Sequence, residues 1–166
     1  MLLTTDGRRP LIVKPIPLRV LASLFVAFSL FGAVMAWRAG QGNVSPWFLV
    51  FGAIGVYLLL DTGSIEMDAK TIKYRTPLAQ YQIEWDEVTQ IQVDRGGGNM
   101  VFFGKDKRLA TIGPTFWSGK DKLEMLILAD EQIKKHGVET QVTNKAMFRL
   151  SKGTKIRGLT AQLRKG

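Results

Sequence analysis

Two long apolar runs come first along the chain, and short alternating segments follow them. Residues Val20 to Trp37 (VLASLFVAFSLFGAVMAW) hold 18 positions without a charge, and Val44 to Leu60 (VSPWFLVFGAIGVYLLL) hold 17 more. A bilayer core of about 30 Å takes about 20 apolar residues at 1.5 Å rise, with a range of about 17–25. Both runs sit at the short end of that range, and neither has the polar face of an amphipathic core helix. The pattern predicts a transmembrane helical hairpin over residues 20–60. A signal peptide is the first alternative: Arg8 and Arg9 precede the first run, and Ala33 to Ala36 offers a cleavage site. It leaves the second run unexplained. Two buried helices of a soluble core are the other alternative.

The flanks suit a hairpin. Trp37 ends one run and Trp47 begins the next, which places both indoles at one interface. The connecting segment carries one basic residue, Arg38, whereas Arg8, Arg9, Lys14 and Arg19 precede the first run against Asp6. The positive-inside bias then keeps the N-terminus in the cytoplasm and returns the chain there near Asp61. Ser29, Gly32, Ala33 and Ala36 recur at three- and four-residue spacing on the first helix, with Gly52 and Gly55 on the second. Small residues of this kind let two backbones approach closely in lipid.

Beyond Asp61 the period shortens to that of strands. Segments near Ser64–Met67, Thr71–Arg75, Gln80–Trp85, Thr89–Arg95, Met100–Phe103 and Arg108–Ile112 combine β-branched and aromatic residues with turn signals between them. Spacing of about 8–12 residues between such strands predicts a small antiparallel barrel or sandwich. Trp85 falls two residues after Ile83 and belongs to its core. Of Phe102 and Phe103, one faces in and one out, and Phe116 and Trp117 pack under the helix that follows. That helix starts at a Ser118 cap, buries Leu123, Leu126, Ile127 and Ile133, and stops at Gly137. Lys134, Lys135 and His136 complement its dipole.

Charge then changes the picture at the C-terminus. The chain has 23 basic and 14 acidic side chains, a formal charge of +9. After Glu139 there is no acid at all, and Lys145, Arg149, Lys152, Lys155, Arg157, Arg164 and Lys165 crowd the end. Ile156, Leu159 and Leu163 would form an apolar stripe if Thr154–Lys165 were helical. Residues 144–166 therefore read as a basic tail, either frayed or lying as a helix on an anionic membrane or acidic partner. Nucleic acid is not the expected partner, because no base-reading module accompanies the charge.

Composition removes much chemistry. Cysteine is absent and His136 is the one histidine, which excludes disulfides, thiol nucleophiles and Cys/His zinc sites. The acid pairs Asp86/Glu87 and Asp130/Glu131 lie on turn and helix surfaces, where adjacent carboxylates point apart. Gly96–Asn99 lacks the spacing and trailing Lys-Ser/Thr of a phosphate loop and reads as a hairpin turn. No catalytic, cofactor-binding or metal-ligating residue is expected. Lys70, Lys73 and Arg75 are the remaining candidates, with Lys73 and Arg75 on one strand face.

The order of elements resembles the bacterial pleckstrin-homology-like membrane proteins. The resemblance is carried by Ser64-Ile65-Glu66-Met67-Asp68 with Thr71-Ile72, by Ile83-Glu84-Trp85-Asp86-Glu87-Val88, and by Leu109 to Gly113 before the helix. Ile83–Val88 is similar to the family's hydrophobic-x-Trp-x-x-hydrophobic segment. The resemblance covers residues 61–136 and implies a seven-strand, two-sheet barrel closed by a helix. Six strands are identified directly, and Val138–Val142 is a candidate for the seventh. Phosphoinositide-binding members of the wider pleckstrin-homology class place a similar basic set near their first hairpin.

Four segments are thus expected: a basic cytoplasmic segment 1–19, a hairpin 20–60, an α+β domain 61–143 and a basic tail 144–166. The expected function is a non-enzymatic module at the cytoplasmic face of the inner membrane, with two spans and both termini inside. It would bind a protein partner or its own copies. The alternatives are an anionic-lipid sensor and an accessory subunit of a larger membrane complex. Lys70, Lys73, Arg75, Lys152, Lys155, Arg157, Arg164 and Lys165 are the candidate headgroup or partner contacts.

Overall fold

The computed structural model describes residues 9–144 and 150–158. Contacts divide the chain into two compact units: Ile16–Thr62, and the described residues on either side of it.

The first unit is two packed helices, α1 (Ile16–Arg38) and α2 (Ser45–Asp61). Pro17 sits in the first turn of α1, where its missing N–H has no helical partner to lose. The helices run antiparallel, and the small residues are the reason they can approach. A Cβ added at Gly32 would lie 2.5 Å from the Phe48 ring, and one at Gly55 would lie 2.7 Å from Val26. Phe25 and Phe51 meet edge to face at 6.3 Å. The Ser45 hydroxyl donates to the Ala33 carbonyl at 3.3 Å. Arg19 donates to the Thr62 carbonyl at 2.9 Å and joins the two outer ends. Large apolar side chains point outward all round, among them Leu24, Phe28, Phe31, Trp47, Val50 and Tyr57. The expectation of two spans is narrowed by length. With 23 residues α1 is long and apolar enough to cross a membrane, whereas α2 has 17 and falls short.

The second unit is built from two sheets and a helix. The first sheet has the order β1 (Leu11–Val13), β2 (Ser64–Met67), β3 (Thr71–Arg75), β4 (Ala79–Glu84) and β9 (Lys155–Gly158), all antiparallel neighbours. The second has the order β7 (Arg108–Ile112), β6 (Asn99–Gly104), β5 (Val88–Val93) and β8 (Glu139–Val142), with β8 parallel to β5. The class is α+β with predominantly antiparallel sheets, and the sheets do not close into a barrel.

Several expectations are corrected here. Trp85 does not end a strand. It opens a 3-10 turn, Trp85–Glu87, closed by the Glu84/Glu87 capping box. The strand expected seventh, near Val138–Val142, is present but pairs in parallel with β5. A further strand, β1, comes from the segment 1–19 that was expected to be a flank. It pairs through Leu11↔Met67, Ile12↔Glu66 and Val13↔Ile65, so the helical unit interrupts the first sheet between its first two strands.

The basic tail is not a helix over its described part. Residues 150–158 run along the open edges of both sheets. Arg108 and Lys152 exchange backbone hydrogen bonds of 2.7 Å, and the Ser151 hydroxyl accepts from Ala110 N–H at 2.9 Å. The Thr154 carbonyl accepts from Gln82 N–H at 2.8 Å before β9 joins β4. Leu159 and Leu163, the rest of the expected stripe, lie outside the described residues.

The helix α3 (Lys122–His136) starts later than expected, because Ser118 is used elsewhere: it exchanges backbone bonds with Lys14 at the free edge of β1. Of the face expected to be buried, Leu126 and Ile133 are partly buried against the core. Met125, Leu128, Ala129 and Gln132 are buried, while Leu123 and Ile127 are exposed at 68% and 52%. Gly137 ends the helix in the left-handed region at φ 62°, where only glycine is unstrained. The core between these layers holds Ile65, Met67, Ile72, Ile83, Trp85, Phe102, Leu109, Trp117 and Met125. Phe102 faces in, Phe103 is half-buried, and Trp85 meets Phe102 edge to face at 6.0 Å.

Two outcomes are expected. Gly55→Ala should destabilise the helix pair in detergent by about 1–3 kcal/mol through overpacking. Gly52→Ala, whose new Cβ would meet Ser29 at an ordinary 3.5 Å, should be neutral or gain up to about 1 kcal/mol of helix propensity. Steric-trapping or thermal unfolding reads both. Deleting residues 145–166 should lower the urea midpoint of the detergent-solubilised protein. It removes the four inter-strand bonds just described, at about 0.5–1.5 kcal/mol each. An unchanged midpoint would show that 150–158 is not part of the fold.

Candidate functional site

The outer face of the first sheet gathers the candidate basic residues. Side chains alternate across a strand, and the registers Glu66↔Lys73↔Gln82 and Ser64↔Arg75↔Gln80↔Arg157 put these residues on one face. Lys73, Arg75 and Arg157 therefore come together, although Arg157 is far away in sequence. Arg75 and Arg157 flank Gln80 two strands apart, about 10 Å at 4.7–4.9 Å per strand.

Two acids that sequence reasoning missed as site residues lie among them. Glu66 and Asp68 are both buried, at 8% exposure each. Arg75 reaches one oxygen of Glu66 at 2.8 Å, and Lys73 reaches the other at 3.4 Å. Lys73 also lies 4.0 Å from Asp68. The signal was available: Glu66 sits one residue before Met67 in an alternating strand, so it had to face away from the core. Which cations it would meet depended on the strand register.

Asp68 does a second job. One of its oxygens accepts from Lys70 N–H and Thr71 N–H at 2.8 Å each, and the other accepts from the Thr71 hydroxyl at 3.0 Å. Its carbonyl accepts the Trp85 indole N–H at 3.1 Å. Trp85 N–H in turn donates to the Lys70 carbonyl at 2.9 Å. This corner holds the β2–β3 turn against the core and leaves the Lys70 side chain exposed at its tip.

The other candidates are not assembled with this group. Lys152 is exposed at the edge of β7, opposite Arg108. Lys155 is exposed and stands opposite Tyr81, past a bulge in the β4–β9 pairing. Arg164 and Lys165 lie outside the described residues, as do Lys145 and Arg149.

The remaining motifs have local partners. Glu87 and Lys107 pair at 2.5 Å, and the hydrogen bond from Lys107 holds the Glu87 carboxyl below its usual range. Asp130 pairs with Lys134 one helical turn on, at 2.6 Å. His136 is exposed at the end of α3. Gly96–Asn99 forms the β5–β6 hairpin turn, with Val93 and Met100 paired at its base. Trp117 is in the core and donates to the Ile112 carbonyl at 2.7 Å, while Phe116 is half-buried. Among the described residues no three of the His, Asp and Glu side chains are grouped to hold a metal ion.

Set against known protein families, curated proteins and solved structures, the chain has no match in any of the three.

The arrangement makes the basic face nearly self-neutralised, and this can be measured. Glu66→Gln should free Lys73 and Arg75. Binding of soluble inositol hexakisphosphate should strengthen at low salt, and thermal stability should fall by up to about 1 kcal/mol, as for a partly exposed ion pair. Lys73→Ala in the otherwise native chain should leave that binding unchanged. A marked loss on Lys73→Ala would restore this face as an anion site.

Proposed function

We propose that the protein is a membrane-anchored interaction module. A two-helix hairpin crosses the bilayer twice and tethers a pleckstrin-homology-like domain that binds protein, rather than substrate or lipid headgroups, at the cytoplasmic face. The carrying observation is the β1–β2 pairing. The chain leaves the β-domain after Val13 and must be back at Ile65 as its strand neighbour. If α1 crosses a membrane, the following segment has to cross in return, and α2 is the apolar helix available. Its 17 residues reach about 25 Å at 1.5 Å per residue. Local bilayer thinning and an interfacial Trp47 accommodate the shortfall at modest cost. The outward apolar side chains on all sides of both helices support a lipid environment.

The domain's order supports the pleckstrin-homology-like reading. Four strands (β1 to β4) and then three (β5 to β7) form two sheets before α3. The neutralised basic face favours a protein ligand over an anionic headgroup. The engaged acid pairs favour binding over catalysis.

The topology is open to direct test, since the chain has no cysteine of its own. Gly42→Cys, in the helix connection, should react with an impermeant maleimide on intact cells. Lys105→Cys, exposed on the β6–β7 turn, should react only after permeabilisation. Labelling of both from one side would sink the two-span anchor.

A further inference from the structure

We infer that β8 is a docking edge for a second copy of this chain, which pairs antiparallel along Glu139–Val142 in a two-fold arrangement centred on Gln141. This deepens the interaction-module reading by naming the partner. It rests on the edge geometry and not on the number of membrane spans.

A bare strand edge is a template for another strand, and folds normally protect such edges. The other edges here are protected. At β1 the Ile12 N–H is taken by Asp121 at 3.2 Å and Lys14 is bridged to Ser118. At β7 Lys152 pairs with Arg108. At β9 a bulge and the charges of Lys155 and Arg157 discourage pairing. Among the described residues β8 has none of these devices. All four of its residues are exposed, the pairing with β5 is unbulged, and Glu139 is its one charge.

Its backbone presents a defined pattern. Thr143 N–H donates to the Val93 carbonyl at 2.9 Å, so by alternation Glu139 and Gln141 also turn their amides toward β5. Thr140 and Val142 turn N–H and C=O away from it. In an antiparallel pair centred on Gln141, Thr140 meets Val142 of the second copy and Val142 meets Thr140. Each pair exchanges two hydrogen bonds, and the two Gln141 residues form a close non-hydrogen-bonded pair, about 4.5 Å between Cα atoms. The register sets Glu139 opposite Thr143, so the strand's one charge meets no like charge.

The side chains are self-complementary in the same register. Gln92 donates to Gln90 at 3.3 Å and to Gln141 at 3.1 Å, making a row of amides across β5 and β8. Gln141 accepts in that row and keeps its own N–H groups to donate to Gln141 of the second copy. The row continues across the two-fold axis, in the manner of stacked amide ladders.

The test uses the full chain in mild detergent. Gln141→Cys should oxidise to an intermolecular disulfide, because 4.5 Å lies within the Cα range of about 4.4–6.8 Å that a disulfide spans. Lys105→Cys should not. Val142→Pro loses an N–H that faces away from β5, a position where an edge strand tolerates proline. It should therefore keep the fold by circular dichroism yet halve the particle mass in light scattering and abolish the Gln141→Cys cross-link. A monomeric native chain, a dimer unaffected by Val142→Pro, or equal cross-linking at Lys105→Cys would each overturn the proposal. None of these results would disturb the maleimide pattern that tests the anchor.

Discussion

The pairing of Leu11–Val13 with Ile65–Met67 is the contact on which the rest depends. It spans only three residues, too few for a strand to hold by itself. It persists because Val13 is in the core at 1% exposure and because the far edge of β1 is held by Asp121 and Ser118. Arg9 adds an ion pair to Asp121 at 2.9 Å. β1 and β2 thereby pair although the helical unit lies between them in sequence. An unstructured connection of that length would charge the pairing a substantial closure entropy. Two packed helices whose outer ends are tied by Arg19 and Thr62 bring Pro15 and Gly63 close together beforehand. A packed helix pair thus lowers the closure entropy of the β1–β2 pairing. It follows that a soluble fragment beginning at Asp61 would lack β1 and would uncover the core beside Ile65 and Met67.

A second constraint concerns charge. A net +9 suggests an anionic partner, yet the strand face where three cations meet holds buried acids that claim two of them. A buried carboxylate is costly to leave unpaired, so Glu66 in effect requires Lys73 and Arg75. The same buried acid layer carries the turn: Asp68 satisfies two backbone N–H groups and a hydroxyl, and its carbonyl fixes the Trp85 indole. Charge pairing and core packing meet at one residue. The basic excess is better read on exposed positions such as Lys70, Lys152, Lys155 and Arg157 than on the pair that alternation singled out.

Much of this was legible in the chain. The two helices announce themselves by long uncharged runs, and β2, β3 and β7 have the bounds their alternation predicts. What escaped did so for physical reasons. β1 is short, lies between Pro10 and Pro15, and adjoins a far stronger apolar signal. β9 reads Lys-Ile-Arg-Gly, with little intrinsic strand character, and forms because the β4 edge offers it a partner. Of the expected α3 face, Leu126 and Ile133 pack against the core but Leu123 and Ile127 do not, because the buried stripe is centred on Met125, Leu128, Ala129 and Gln132. The later start of α3 follows from Ser118 serving β1. The acid partners of Lys73 and Arg75 are visible in the sequence as residues, but only the register Glu66↔Lys73 brings them opposite.

Edge protection links these observations. Each strand that was hard to foresee, or each segment read as a tail, turns out to cover an edge. Residues 150–158 close the free sides of β7 and β4, and the Ser118–Asp121 turn closes β1. Late, non-local segments are recruited because unpaired backbone at a sheet edge leaves donors and acceptors without fixed partners. They carry weak local signals because the demand arises in the sheet and not in their own sequence. β8 is the converse case. Glu139–Val142 falls within Val138–Val142, the candidate for a seventh strand, and all four of its residues are exposed at the end of their sheet. Among the described residues its outer side lacks the cover that the other edges have, and that contrast is what the proposed pairing with a second copy rests on.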